Sequence, residues 1–131
     1  MELNSNKVEV NLSKKELHDF LQKVENYEQL MPKDRAKFEV IRENAFVFGL
    51  KGMPEIALEI KDISNPDKVV LGAISDKLPF TLTADLEEQS ENKTTASLQF
   101  EGKFNAMMAM MIKNPISKFL NTLTENMASL S

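Results

Sequence analysis

The stretch "FNAMMAMMIKNPISKFLNTLTENMASL", residues 104–130, is the longest helical pattern in the chain, and its spacing decides the fold. At about 100° per residue, Phe104, Met108, Met111, Ile112, Ile116, Phe119, Leu120, Leu123, Met127 and Leu130 share one broad face, while Lys113, Lys118, Asn121 and Glu125 point away. This predicts one amphipathic helix of about seven turns. Pro115 lies inside the pattern, removing one backbone hydrogen bond and crowding the carbonyl of Met111, so a kink is expected there rather than a break. A helix with so wide an apolar face needs an apolar surface to cover.

That surface lies upstream, where the hydrophobic period falls from 3.6 to 2. Strands are expected near 36–43, 45–50, 55–62, 68–75, 79–87 and 93–102. Alternation is clear in Ile56, Leu58 and Ile60, again in Phe80, Leu82, Ala84 and Leu86, and again in Ala96, Leu98 and Phe100. Ala36, Phe38 and Val40 are expected to face inward, with Arg35 and Glu39 outward. The turns Glu43-Asn44, "KGMP" (51–54), "SNPD" (64–67), "SDKLP" (75–79) and "EEQSENK" (87–93) are too short for a crossover helix, so the strands must be antiparallel. Nearer the N-terminus, Val8 and Val10 mark a short strand, and "SKKE" (13–16) opens a helix with Ser13 and Glu16 as a capping box. Asn26 is expected to cap a second short helix that Pro32 stops. The fold class is therefore α+β: a curved seven-stranded antiparallel sheet, two short helices and a long C-terminal helix. Strand twist curls such a sheet, and a helix laid on its concave side cannot meet every inward residue, so an apolar gap is expected between them.

Composition narrows the function classes. A chain of 131 residues suits one domain, here taken as 1–131. Acidic residues outnumber basic ones, 20 to 16, and Lys and Arg are scattered, which argues against a nucleic-acid partner. With no cysteine, disulfides, thiolate nucleophiles and cysteine-ligated metals are excluded. "MELNSNKVEV" lacks the apolar core of a signal peptide, and the longest apolar run, Ala106–Ile112, is too short to span a bilayer; a cytoplasmic protein with no membrane span is expected.

This order of elements resembles the helix-grip fold of the START-related superfamily (SRPBCC, birch-pollen-allergen type). The segments "NYEQLMP" (26–32), "FGLKGMPEI" (48–56), "DKLPFTLTADL" (76–86), "FEGKFNAMMAMMIKNP" (100–115) and "KFLNTLTE" (118–125) are similar to a small bacterial branch of it. The resemblance implies a pocket for an apolar ligand between the long helix and the sheet, and in the superfamily's enzymes one or two polar groups within it.

No catalytic motif is present. The lone histidine, His18, sits beside Lys15, Asp19 and Gln22 and reads as solvated; no Gly-x-Ser-x-Gly elbow occurs, and "GLKG" (49–52) lacks the Lys-Ser/Thr of a phosphate loop. The polar groups that would serve an enzyme here are Tyr27, Arg35 or Glu39, and Asn105; Tyr27 is expected to keep its hydroxyl in water. Met107, Met108, Met110 and Met111 have helical spacing that suits thioether ligation of Cu(I), but only Met108 and Met111 fall on the face the helix buries, so no metal site and no cofactor are assigned. Unbranched methionines adapt to irregular spaces and re-pack around guests. The expected function is binding of a small hydrophobic or amphipathic ligand, lipid-like or aromatic, by Phe38, Phe48, Leu58, Phe80, Leu82, Leu98, Phe100, Phe104, Met108 and Met111. Two alternatives stay open: an interaction or dimerisation module with a filled core, for which the apolar outer residues Ala45 and Val47 suit a homodimer, and a cyclase-like enzyme.

Overall fold

The computed structural model describes residues 1–35, 37–51, 53–75 and 79–130. The inward position expected of Ala36, Gly52 of the "KGMP" turn and residues 76–78 of the "SDKLP" turn lie outside the described residues. In chain order the elements are β1 (Glu2–Asn4), β2 (Val8–Val10), α1 (Lys14–Leu21), a 3₁₀ helix (Val24–Leu30), β3 (Lys37–Arg42), β4 (Ala45–Gly49), β5 (Ile56–Asp62), β6 (Lys68–Ala73), β7 (Phe80–Ser90), β8 (Lys93–Gly102) and α2 (Ala106–Ala128).

Every strand pairing is antiparallel, and the sheet runs β1-β8-β7-β6-β5-β4-β3, with β2 also on β8. The sheet thus has eight strands among the described residues, one more than expected. The extra strand is β1, whose single apolar residue, Leu3, offers no alternation to read. It pairs with the Phe100 end of β8, while β2 pairs with the Ala96 end. Ser5 bridges the two: its N–H donates to the Leu98 carbonyl at 2.9 Å, and its Oγ accepts from the Leu98 N–H at 2.8 Å.

Local chemistry sets the helix ends. Ser13 Oγ accepts from the Glu16 N–H and Glu16 Oε1 accepts from the Ser13 N–H, both at 3.0 Å, closing the expected capping box. The second short helix differs from expectation. It is a 3₁₀ helix preceded by Lys23 without a side-chain cap, and Asn26 lies inside it, donating instead to the Phe20 carbonyl at 2.9 Å. The preference of Asn for caps is overridden because a carbonyl at the end of α1 needs that donor. Asn105 caps α2, its Oδ1 accepting from the Met108 N–H at 2.8 Å, and α2 runs unbroken through Pro115.

The core lies between α2, α1 and the concave face of the sheet. Val10, Leu17, Leu21, Val24, Leu30, Val69 and Leu120 are fully buried. Val40, expected inward, is 37% exposed. It shares a face with Phe38, but β3 is an edge strand, with a neighbour on one side only. On the convex face, Ala45 is buried beside Glu59, which pairs with Arg42 and Lys61. The Lys61 chain also lies over Gly72, where a Cβ would come within 2.9 Å of Lys61 Cε. Charged side chains therefore shield the small residues of the outer face.

Candidate ligand-binding site

Between α2 and the sheet, one end of the interior opens into an apolar mouth. Its wall is a run of three rings: Phe80 and Phe100 have centroids 4.8 Å apart, and Phe104 stacks on Phe100 at 5.9 Å and 5°. Gly102 makes this possible, since a Cβ there would stand 2.7 Å from the Phe104 ring and 2.9 Å from Phe80 Cβ. Met53, Pro54 and Ile56 face the rings, and Met108, Ile112 and Ile116 of α2 form the roof. Among the described residues no polar side chain lines this mouth, whose volume is about 40 Å³. Behind it, a smaller space of about 10 Å³ is bounded by Phe48, Leu58, Leu82, Phe119 and Leu120, with Ile56, Phe80, Phe100 and Ile116 common to both.

The opposite end is filled, with Tyr27 stacked on Phe46 at 5.2 Å and Phe38 on Phe46 at 5.3 Å, while Phe119 stacks on Phe48 at 4.8 Å on the wall of the deeper space. The Tyr27 hydroxyl is not in water as expected: the residue is buried, its O–H donates to the Leu21 carbonyl at 2.8 Å, and burial raises its pKa well above the ordinary phenol value. The neutral donor is what that carbonyl requires.

Of the ten residues expected to line a pocket, Phe104 and Met108 border the mouth, Phe80 and Phe100 border both spaces, and Phe48, Leu58 and Leu82 border the deeper one. Three do not. Phe38 is half-buried at the filled end, Leu98 is buried in the core, and Met111 is 66% exposed, which corrects its placement on the buried face. On the wheel Met111 lies more than 100° from the centre of the stripe formed by Ile112, Ile116, Phe119, Leu120, Leu123 and Met127, on the flank that also carries the exposed Lys118, so the buried stripe is narrower than expected. Met107 and Met110 are 74% and 80% exposed there. Ile112 and Ile116 were legible on the helix face; Met53 and Pro54 sit in a turn, where no periodic signal marks them.

The polar candidates lie elsewhere. Arg35 pairs with Glu28 at 3.1 Å, Glu39 is exposed beside Lys37 at 3.7 Å, and Asn105 is occupied as a cap. His18, expected to be solvated, is buried. Its Nε2 lies 3.0 and 3.1 Å from the carbonyls of Asn65 and Lys68, which can only accept, so Nε2 carries the proton and Nδ1 accepts from Gln22 Nε2 at 2.8 Å. The imidazole therefore ties α1 to the β5–β6 turn. Among the described residues no group of three or more His, Asp or Glu side chains is placed to hold a metal ion, and no helix is long and apolar enough to cross a membrane.

No protein-family model matches the sequence, and no curated protein gives a significant sequence match. Solved structures do resemble it. A START superfamily protein from Mycobacterium smegmatis superposes with a TM-score of 0.68 over 99% of both chains at 12% identity. Norcoclaurine synthase from Thalictrum flavum, in complex with dopamine and hydroxybenzaldehyde, gives 0.72 over 98% of this chain and 84% of that one at 10% identity. A protein from Thermus thermophilus gives 0.70 over 98% and 95% at 11% identity. Likeness at such low identity concerns architecture: a sheet gripping a long C-terminal helix, with this connectivity, is the helix-grip fold of START superfamily proteins, and the chain has that fold.

Proposed function

We propose that the protein binds a small hydrophobic or amphipathic molecule at the mouth between α2 and the sheet. The observation that carries this reading is an opening lined, among the described residues, only by apolar side chains, two of them the methionines Met53 and Met108, at the end where α2 is least buried. Ligand sites for drug-sized molecules run to about 300–1,000 Å³. A mouth of about 40 Å³ is far smaller, so a guest must enlarge it. Met53, Phe104 and Met108 are the side chains that move: each is only half-buried, and a methionine changes shape by rotating unbranched torsions. The driving force is transfer of apolar surface out of water, at about 25 cal/mol per Å². The dopamine and hydroxybenzaldehyde bound by norcoclaurine synthase show the size of guest this architecture accommodates elsewhere.

The small interior volume supports a second reading, an interaction module with a filled core, whose contact surface would include the exposed Met107, Met110 and Met111. Displacement of a fluorescent fatty acid, with native mass spectrometry of the same sample, separates the two. Saturable binding that Met108→Trp abolishes, on a monomer, is expected; a dimer that takes up no probe would put the interaction module first.

A further inference from the structure

A second depression adjoins the mouth, and its chemistry is the opposite. Pro32, Leu50, Pro115 and Phe119 form an apolar floor, and Lys33, Arg35, Lys51 and Lys118 stand around it with Asp34 and Thr122, in a cleft of about 290 Å³. Four cations to one carboxylate is a marked inversion in a chain where acidic residues outnumber basic ones, 20 to 16. The cations come from three separate segments: the turn after the 3₁₀ helix, the turn after β4, and the middle of α2. Arg35 is engaged, its guanidinium on Glu28 at 3.1 Å and on the Pro32 carbonyl at 3.3 Å. Lys33, Lys51 and Lys118 have no ion pair among the described residues. Three like charges gathered on one concave surface repel one another, and an anion placed among them relieves that repulsion.

The β4–β5 turn sets this cleft beside the mouth. Its residues Leu50 and Lys51 line the cationic side and Met53 and Pro54 the apolar side, while on α2 Met108, Ile112 and Ile116 line the mouth and Pro115, Lys118, Phe119 and Thr122 the cleft. A single molecule lying across the turn meets positive charge at one end and only hydrocarbon at the other. We infer that the ligand is an amphipathic anion, its head group held among Lys33, Lys51 and Lys118 and its apolar part lying over Met53 and Pro54 into the mouth. This rests on the reading that the mouth binds a guest, and it adds the polarity and orientation of that guest. The lysines are exposed to water, so they select the head group while burial of the tail supplies most of the affinity.

The test is titration calorimetry of the full chain at low ionic strength with decanoate and with decanol, both as monomers. Decanoate should bind about tenfold more tightly, the scale of a few exposed ion pairs acting together, and the preference should shrink in high salt. In the double variant K51E/K118E, with its thermal unfolding unchanged, the ratio of the two affinities should fall to about one. Equal binding of decanoate and decanol by the unsubstituted protein would overturn the inference and leave the apolar site standing. No binding of either would overturn both.

Discussion

Ile116 to Ala128 and Ala106 to Pro115 are halves of one helix, yet the fold treats them differently. The C-terminal half buries Ile116, Phe119, Leu120, Leu123, Thr124 and Met127, whereas the N-terminal half buries only Ile112. Polar clamps follow the same division. Asn126 Nδ2 donates to the Leu30 carbonyl at 2.8 Å and Asn121 Oδ1 accepts from the Asn6 N–H at 2.9 Å, while among the described residues the N-terminal half has only the cap at Asn105. One half anchors the grip. The other is buried along a narrower stripe, with Met107, Met110 and Met111 exposed, and roofs the mouth. A helix-grip protein can thus be well packed and still keep an adaptable end, because one helix is deeply buried along one half and only partly along the other.

The largest expected effect tests the anchored half. Phe119→Ala removes a ring stacked on Phe48 at 4.8 Å and should cost about 3–5 kcal/mol in urea unfolding. A loss below about 1 kcal/mol would remove the distinction between the halves. The less buried half should respond far less. Met108→Ala, half-buried at the mouth, should cost clearly less than the ~2–5 kcal/mol of a packed methionine. Met111→Ala, at a residue 66% exposed, is expected to stay within about 0.5 kcal/mol. Full-sized losses at both positions would show that this half is core after all.

The smallest effect concerns acid. The Ser13 N–H and Oγ, hydrogen-bonded to Glu16, hold its carboxyl below the ordinary glutamate value. A depressed folded pKa means stability that is present above the unfolded value of about 4.3 and is lost as pH falls through the folded one. Thermal unfolding should therefore show a decline on acidification below about pH 4 that is slightly smaller in Glu16→Gln, since hydrogen bonds also hold Asp19, Glu59 and Asp62 low. Among the described residues the mouth carries no ionisable side chain, so binding of a neutral probe there should not change over the pH range in which the fold is intact. A pH-dependent neutral probe would mean that a charged group reaches the site.

Much of this architecture was legible because it rests on period. Alternation marks β5, β7 and β8, and the capping box at Ser13 and Glu16 marks the start of α1. β1 was not legible, since three residues with one leucine carry no period and the strand exists only because β8 offers it an edge. Tyr27 and His18 were misplaced for a related reason. Their burial depends on carbonyls at Leu21, Asn65 and Lys68 that only the folded chain brings to them.

By itself the amino-acid order determined that a twisted antiparallel sheet would need an apolar cover and that residues 104–130 would supply it, since both follow from repeats along the chain. The tertiary structure alone decided how much of that face is buried. Phe119 is core and Met111, on the flank of the stripe, is bare, because the width of the contact depends on the surface the sheet presents, and pattern along one segment carries no information about the shape of another. The same holds for the lysines at 33, 51 and 118, unremarkable in the chain and gathered around one cleft by the fold.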